Sequence, residues 1–320
     1  LTALLDPAVL FFVFGLFAGL VRSNLEIPPA ISRFLALYLL MALGLKGGIS
    51  LAETGFTLEV GASLLLAVLL AMFIPVVSYV ALKPFTSPFN ALAIAATYGS
   101  VSAVTFITAN QFLDNHGVPH GGYMAAAMAL MESPAIILAV VLANANRKAQ
   151  NQQQHEGGLV GVLHESFTDG AQLLLLASMA IGYLMGPEGA AAMKPFSADL
   201  FKGMLAFFLL DMGLLASRSL PALKGQSLAL LLYAVVAPLL HAALALTLAM
   251  WAGLNIGDST LLAVLAASAS YIAVPAVLRE AVPEAEPAVY VGLSLGITFP
   301  LNILVGIPAY YAAAQWLAQF

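Results

Sequence analysis

The chain has 320 residues, of which 62% are hydrophobic and only 8% charged, and its mean hydropathy is +0.97. Soluble domains carry roughly 25% charged residues, so this composition excludes an ordinary soluble protein and specifies an integral membrane protein. The 11 Lys and Arg against 16 Asp and Glu offer no cation cluster to neutralise phosphates, which excludes a nucleic-acid partner; zero Cys removes disulfides, thiolate metal sites and cysteine nucleophiles.

Runs of about 17 to 25 apolar residues bounded by charges or turn residues predict membrane spans. Ten such runs lie near 7–22, 31–46, 59–82, 89–113, 121–143, 168–186, 198–217, 226–253, 258–279 and 288–317. No basic segment precedes the first run, so it is expected to be a span and not a cleaved signal. Residues 225–257 lack Asp, Glu, Lys and Arg but hold one tilted span, since two would need roughly 40 residues and a turn. Loops after odd-numbered spans carry Arg22, Arg33, Lys83, Arg147, Lys148, Arg218, Lys224 and Arg279, while the other side carries Lys46, Lys194 and Lys202. By the positive-inside rule both termini face outward and the polar linker NANRKAQNQQQHEGG, starting at Asn144, is cytoplasmic. The expected organisation is a five-span unit over 1–143, a linker over 144–167 and a second five-span unit over 168–320.

The two units match in order. LLMALGL at 39–45 faces LLDMGLL at 209–215, YGSVSAV at 98–104 faces AASASYI at 266–272, and MESPAIIL at 131–138 faces ITFPLNIL at 297–304. Gly44 thereby pairs with Gly213, Ser100 with Ser268, and Pro134 with Pro300. An odd number of spans per unit makes the second unit cross in the opposite sense. The expected fold is therefore an all-α membrane protein of ten transmembrane helices in two inverted five-helix repeats, the architecture of many secondary transporters. YGSVSAVTF at 98–106 sets Gly, Ser, Ser and Thr at the centre of a predicted span, where an unpartnered polar group is costly. ASASYIAVP at 267–275 does the same in the second unit. Both are expected to be discontinuous helices that cross near the midplane, where freed N–H groups and helix N-terminal dipoles meet an anion and freed carbonyls face a cation. Gly99, Ser100, Ser102 and Thr105 belong to the first break, and Ser268, Ser270 and Pro275 to the second. The competing explanation is that small residues there only permit close helix packing.

Ionisable groups within predicted spans are site candidates because buried charge in lipid is costly. Glu132, in MESP, stands beside a Pro that frees a carbonyl, so carboxylate and carbonyl oxygens together suit a hard cation or a proton carrier. Asp211, in a Phe- and Leu-rich span, is expected to make a structural pairing with Lys46 or Lys202. His241 follows Pro238 in an apolar helix and reads as a core histidine. His116 and His120 have a metal-like spacing, but Pro119 and the neighbouring Gly residues make DNHGVPHGG an exposed turn and not a rigid metal-binding face. No Gly-rich phosphate loop, HExxH or GxSxG motif appears, so no enzyme is expected.

GLKGG at 44–48, YGSVSAVTF, MESP, AASASYIAVPAVLR at 266–279 and PEAEPAVYVGLSLGITFP at 283–300 resemble the sodium-dependent bicarbonate transporter family first recognised in cyanobacteria. The resemblance implies a multi-pass protein of a bacterial inner membrane, a homotrimer, and elevator-like motion of a core domain against a gate domain. It also implies bicarbonate as substrate, sodium as the coupling ion with no other cofactor, and a cytoplasmic regulator of the nitrogen-regulator type as partner. Carried over by position, the anion site falls on Gly99, Ser100, Val101, Ser102, Ala103 and Thr105 in one break and on Ser268, Ala269, Ser270 and Tyr271 in the other. Glu132, with Ser102 and Ser270, is the expected cation site; cyanobacterial members have Asp at the Glu132 position. They also have an acidic residue, in an SSSD run, where this chain has Tyr271. A neutral phenol cannot supply that charge. The alternatives are another small organic anion, coupling to protons through Glu132, and a membrane sensor that does not transport.

Overall fold

The computed structural model describes residues 6–149 and 169–319. Among these residues every regular element is helical and no strand occurs. The helices are α1 (Pro7–Leu20), α2 (Pro29–Thr54), α3 (Leu58–Leu82), α4 (Pro88–Gly99), α5 (Ala103–Asn115) and α6 (Met124–Ala149). After the linker come α7 (Gly170–Lys194), α8 (Phe201–Ser219), α9 (Leu228–Trp251), α10 (Ile256–Ala267), α11 (Ala273–Ala281), α12 (Pro287–Leu293) and α13 (Ile307–Leu317). Their starts follow from side-chain oxygens that accept from the otherwise orphaned N–H groups of the first turn. Asp6 accepts from Ala8, Thr57 from Val60, Ser87 from Asn90, Ser102 from Thr105, Ser227 from Leu230 and Asn255 from Asp258.

Seven helical stretches are long and apolar enough to cross a membrane, where ten spans were expected. α1 has only 14 residues, α10 and α11 are separate short helices, and the stretch Gly170–Leu223 runs on as 54 helical residues. That stretch is bent at Gly186, whose φ of 57° leaves the helical region, at the position where the sixth span was expected to end. α6 continues to Ala149, so its helix reaches into the predicted linker; the rest of the linker lies outside the described residues.

The packing follows a paired scheme. α1 packs along α8 and α2 along α7; α3 packs on α4 and α6, while α9 packs on α10 and α13. Two pairs of glycines let α1 and α8, and α2 and α7, approach backbone to backbone. A Cβ on Gly15 would lie 2.2 Å from the Leu210 carbonyl oxygen, and one on Gly182 would lie 2.4 Å from that of Leu45. Likewise Gly213 abuts the Phe12 carbonyl at 2.2 Å and Gly48 that of Met179 at 1.9 Å. Gly44, with which sequence matching paired Gly213, makes the same kind of approach, a Cβ there lying 2.6 Å from the Leu175 carbonyl oxygen.

The broken helices are pinned in the same reciprocal way. Asn90, in the first turn of α4, accepts through Oδ1 from the Glu286 N–H at 2.8 Å, just before α12. Asp258, in the first turn of α10, accepts through Oδ1 from the Gly121 N–H at 2.6 Å, just before α6. The Asp258 carboxylate also takes the Tyr123 hydroxyl and the Asn255 amide, both at 2.6 Å. α4 and α10 are almost wholly buried. α3 and α9 instead expose Leu65, Leu69, Phe73, Leu232, Val236 and Leu240, an apolar exterior that suits lipid contact.

Candidate functional site

Both predicted breaks are real. α4 ends at Gly99 and α5 begins at Ala103, α10 ends at Ala267 and α11 begins at Ala273, and the two gaps touch. The Ser270 N–H donates to the Thr97 carbonyl at 2.8 Å, and the Ser102 N–H donates to Ser268 Oγ at 3.0 Å. Ser268 Oγ in turn donates to the Leu265 carbonyl at 2.9 Å. Polar groups that would otherwise be orphaned by unwinding therefore satisfy one another across the break, which is what permits irregular backbone at this depth.

A cavity of about 430 Å³ opens against this junction. Of the expected site residues, Val101, Ser102, Ala103, Glu132, Ser270 and Tyr271 line it. Gly99, Ser100, Thr105, Ser268 and Ala269 do not; they form the frame behind it. Gly99 lies against Pro75 of α3, where a Cβ would come within 2.6 Å of the ring. Ser100 Oγ donates to the Glu132 carbonyl at 3.3 Å, tying the break to α6. Thr105 donates to Ser102 Oγ through its N–H at 3.2 Å and its hydroxyl at 2.9 Å. Ala103 and Val104, both at the cavity wall, open α5, where the first N–H groups lack intrahelical acceptors and carry the positive end of the helix dipole.

Tyr271 lies edge-on to Phe299 with ring centroids 5.2 Å apart and points its hydroxyl at the Met212 sulfur, 3.5 Å away. It fills space beside the second break and supplies no carboxylate. The Glu132 side chain is partly buried at the cavity wall and has no hydrogen-bond partner among the described residues. Sequence reasoning passed over Ser133, Asp169 and Gln172, which line the same cavity. The available signal was a Gln and an Asp within the predicted span 168–186, an otherwise apolar run.

The lining reaches Asp169 and Gly170, at the end of the molecule from which the linker leaves. A second cavity, of about 500 Å³, lies at the opposite end between Asp6, Asn115, His116 and Lys202. The two come within one helical turn of each other: on α5 Ile107 lines the first and Thr108 the second, and on α8 Phe208 lines the first and Leu205 the second.

Asp211 does not pair with Lys46 or Lys202. Its carboxylate accepts from the Ser32 hydroxyl, while Lys46 meets Asp114 at 3.5 Å and Lys202 meets Asn115 at 2.8 Å. Ser32 and Lys46 are 14 residues apart on one helix, about 21 Å at 1.5 Å per residue, so Asp211 faces the wrong end of α2 for either lysine. His241 packs against Ala266 of α10 and lines neither cavity. His116 and His120 turn to the carbonyls of Phe112 and Val118. No group of three or more His, Asp or Glu is placed to hold a metal ion among the described residues.

Apolar helices of spanning length around a polar, broken-helix junction with a cavity on either side define a multi-pass membrane protein of the transporter class. The chain belongs to the Na+-dependent bicarbonate transporter superfamily, which it matches over residues 7–315. No curated protein matches it. A transporter superfamily agrees with the expectation that the chain is not an enzyme.

Proposed function

We propose that this protein is a sodium-coupled importer of bicarbonate, with the anion held where the two breaks touch. The observation that carries this reading is the junction itself: the start of α5 and the Ser270–Tyr271 turn share one cavity with a carboxylate, Glu132, on its wall. Helix N-terminal N–H groups attract an anion, and an adjacent carboxylate attracts the cation that travels with it. The reciprocal packing of α1 on α8 and α2 on α7, and the paired pins at Asn90 and Asp258, support two inverted repeats of five spans. In that scheme α1 crosses by itself, the stretch from Gly170 crosses twice, and α10 with α11 crosses as one broken span. Cavities that approach each other from opposite ends to within one helical turn support alternating access by elevator-like motion of the broken-helix unit against α1, α2, α7 and α8.

The reading carries orientation with it: a bacterial inner membrane, both termini outside, and the linker in the cytoplasm. A cysteine at Asn115 should then react with an impermeant maleimide on intact cells, while one at Lys224 should not; reversed labelling overturns the orientation. The family resemblance adds a homotrimer and a cytoplasmic regulator. Uptake of labelled bicarbonate into proteoliposomes tests the function directly. An inward sodium gradient should drive it, and a proton gradient alone should not. The reverse result makes Glu132 a proton carrier.

One observation favours a second substrate. The cavity is large for a four-heavy-atom anion, and Leu40, Met128, Ile136, Phe208 and Val277 line much of it. A small monocarboxylate would use both its carboxylate and that apolar wall. Acetate, propionate or butyrate competing with bicarbonate at lower concentration than bicarbonate itself would establish it.

A further inference from the structure

Two buried side-chain oxygens in the cavity wall have no hydrogen-bond partner among the described residues: Ser133 Oγ on α6 and Gln172 Oε1 on α7. Their residues are only 6% and 7% exposed, so water does not compensate them, and a buried acceptor without a partner is unfavourable. Gln172 is held firmly in place. Its Nε2 donates to the Ala129 carbonyl at 2.9 Å, setting its amide against the turn of α6 that carries Glu132 and Ser133. Asp169, which caps α7, accepts the N–H groups of Ala171 and Gln172 through Oδ1 alone, at 3.0 and 2.9 Å. Its other oxygen is not engaged by those caps, and Asp169 lines the cavity together with Glu132.

We infer that Glu132 and Ser133 of α6, with Gln172 and Asp169 of α7, form a hard-cation site across the seam between these helices. The donor set is all oxygen, with two carboxylates, one amide carbonyl and one hydroxyl. That combination selects a hard cation such as sodium over softer ions that favour imidazole or thiolate. A cation there satisfies both orphaned oxygens at once and relieves the repulsion between two carboxylates that share a wall. The site lies beside the break junction, and it spans both packed groups of helices: α6 packs with α3 and α4, and α7 with α2. The site is therefore complete in this arrangement and is taken apart when one group moves against the other. The inference deepens the sodium-coupled reading above and rests on it for the choice of sodium.

The test is direct cation binding to the purified full chain in detergent, read as the shift in melting temperature during sodium titration at constant ionic strength with choline. Lithium, potassium and calcium serve as comparison ions. Sodium should raise the melting temperature saturably, and Gln172→Leu should raise the half-saturating sodium concentration by about tenfold or more. Ser133→Ala should raise it by about threefold. Gln172→Glu, which keeps an oxygen in place, should bind sodium more tightly than Gln172→Leu, and it serves if the Leu variant does not fold. Ser63→Ala, which removes a buried hydroxyl from α3 outside the cavity, should leave the half-saturation unchanged. Half-saturation that is the same in Gln172→Leu, Gln172→Glu and Ser133→Ala overturns the site. So does stabilisation of the wild type by lowered pH but by no metal cation. Bicarbonate uptake by a protein that binds no sodium would remove this site while leaving transport intact. Sodium binding that depends on Gln172 in a protein that takes up no bicarbonate would keep the site and remove the substrate.

Discussion

The two breaks share a backbone form and differ in the side chains that stand behind them. Behind the first, the matched position on α6 is Glu132, whose side chain reaches the cavity wall. Behind the second, the matched position is Thr298, which is fully buried and satisfied. It donates to the Ala234 carbonyl at 2.7 Å and meets the Tyr98 hydroxyl at 2.6 Å. Asn302 closes the same side by donating to the Ala267 carbonyl at 2.9 Å, while Tyr271 and Phe299 stack beside it. Both breaks line the cavity, but the first is backed by an ionisable side chain and the second by aromatic rings and neutral hydrogen bonds. Matching backbone geometry therefore does not bring matching side chains: a carboxylate stands behind the first break and a hydrogen-bonded threonine behind the second.

The largest expected effect treats the breaks as equals. Ser102→Leu and Ser270→Leu should each abolish bicarbonate uptake while the protein still elutes as a folded species, because both residues line the shared cavity. Uptake surviving in either variant would show that only one break holds the anion. The pins differ next. Asp258→Ala, which strips a buried carboxylate from three donors, should lower stability in detergent by about 3 kcal/mol, and Asn90→Ala, with one donor, by about 1 kcal/mol. Equal losses would mean that the two anchors are interchangeable.

The contrast behind the breaks is sharpened by a pair of substitutions. Glu132→Gln should raise the sodium concentration for half-maximal uptake by about tenfold with little change in melting temperature. Thr298→Val should do the opposite, lowering stability by about 1 to 2 kcal/mol with sodium dependence unchanged. The smallest effect belongs to Tyr271→Phe. Its hydroxyl meets a sulfur at 3.5 Å and the Ser102 side chain, both weak partners, so stability should move by about 0.5 kcal/mol, measured by thermal denaturation. A larger loss of uptake than of stability would give the phenol a place in the anion site after all.

Much was legible in the chain because the information was local. A bilayer admits only helices and barrels, so apolar runs bounded by turn residues marked the helices, and the kink at Gly186 fell where the sixth run was expected to stop. YGSVSAV and AASASYI announced their own breaks, since Ser-rich, small-residue runs cannot remain in hydrocarbon without partners. Membership of a transporter family followed from the ordered motifs. Other features depended on helix rotation and approach, which no local pattern encodes. The close approach of Gly15 to Leu210 and of Gly48 to Met179 emerged from backbone contacts between helices far apart in sequence. Asp211 found Ser32 because of the end of α2 that it faces. Only the folded chain sets Gln172 against the Ala129 turn, 43 residues away, leaving two buried oxygens beside Glu132. Composition and pattern determined that this chain enters a membrane as helices and where those helices break; tertiary packing decided which break meets a charge, because that choice depends on side chains brought together from helices distant in the chain.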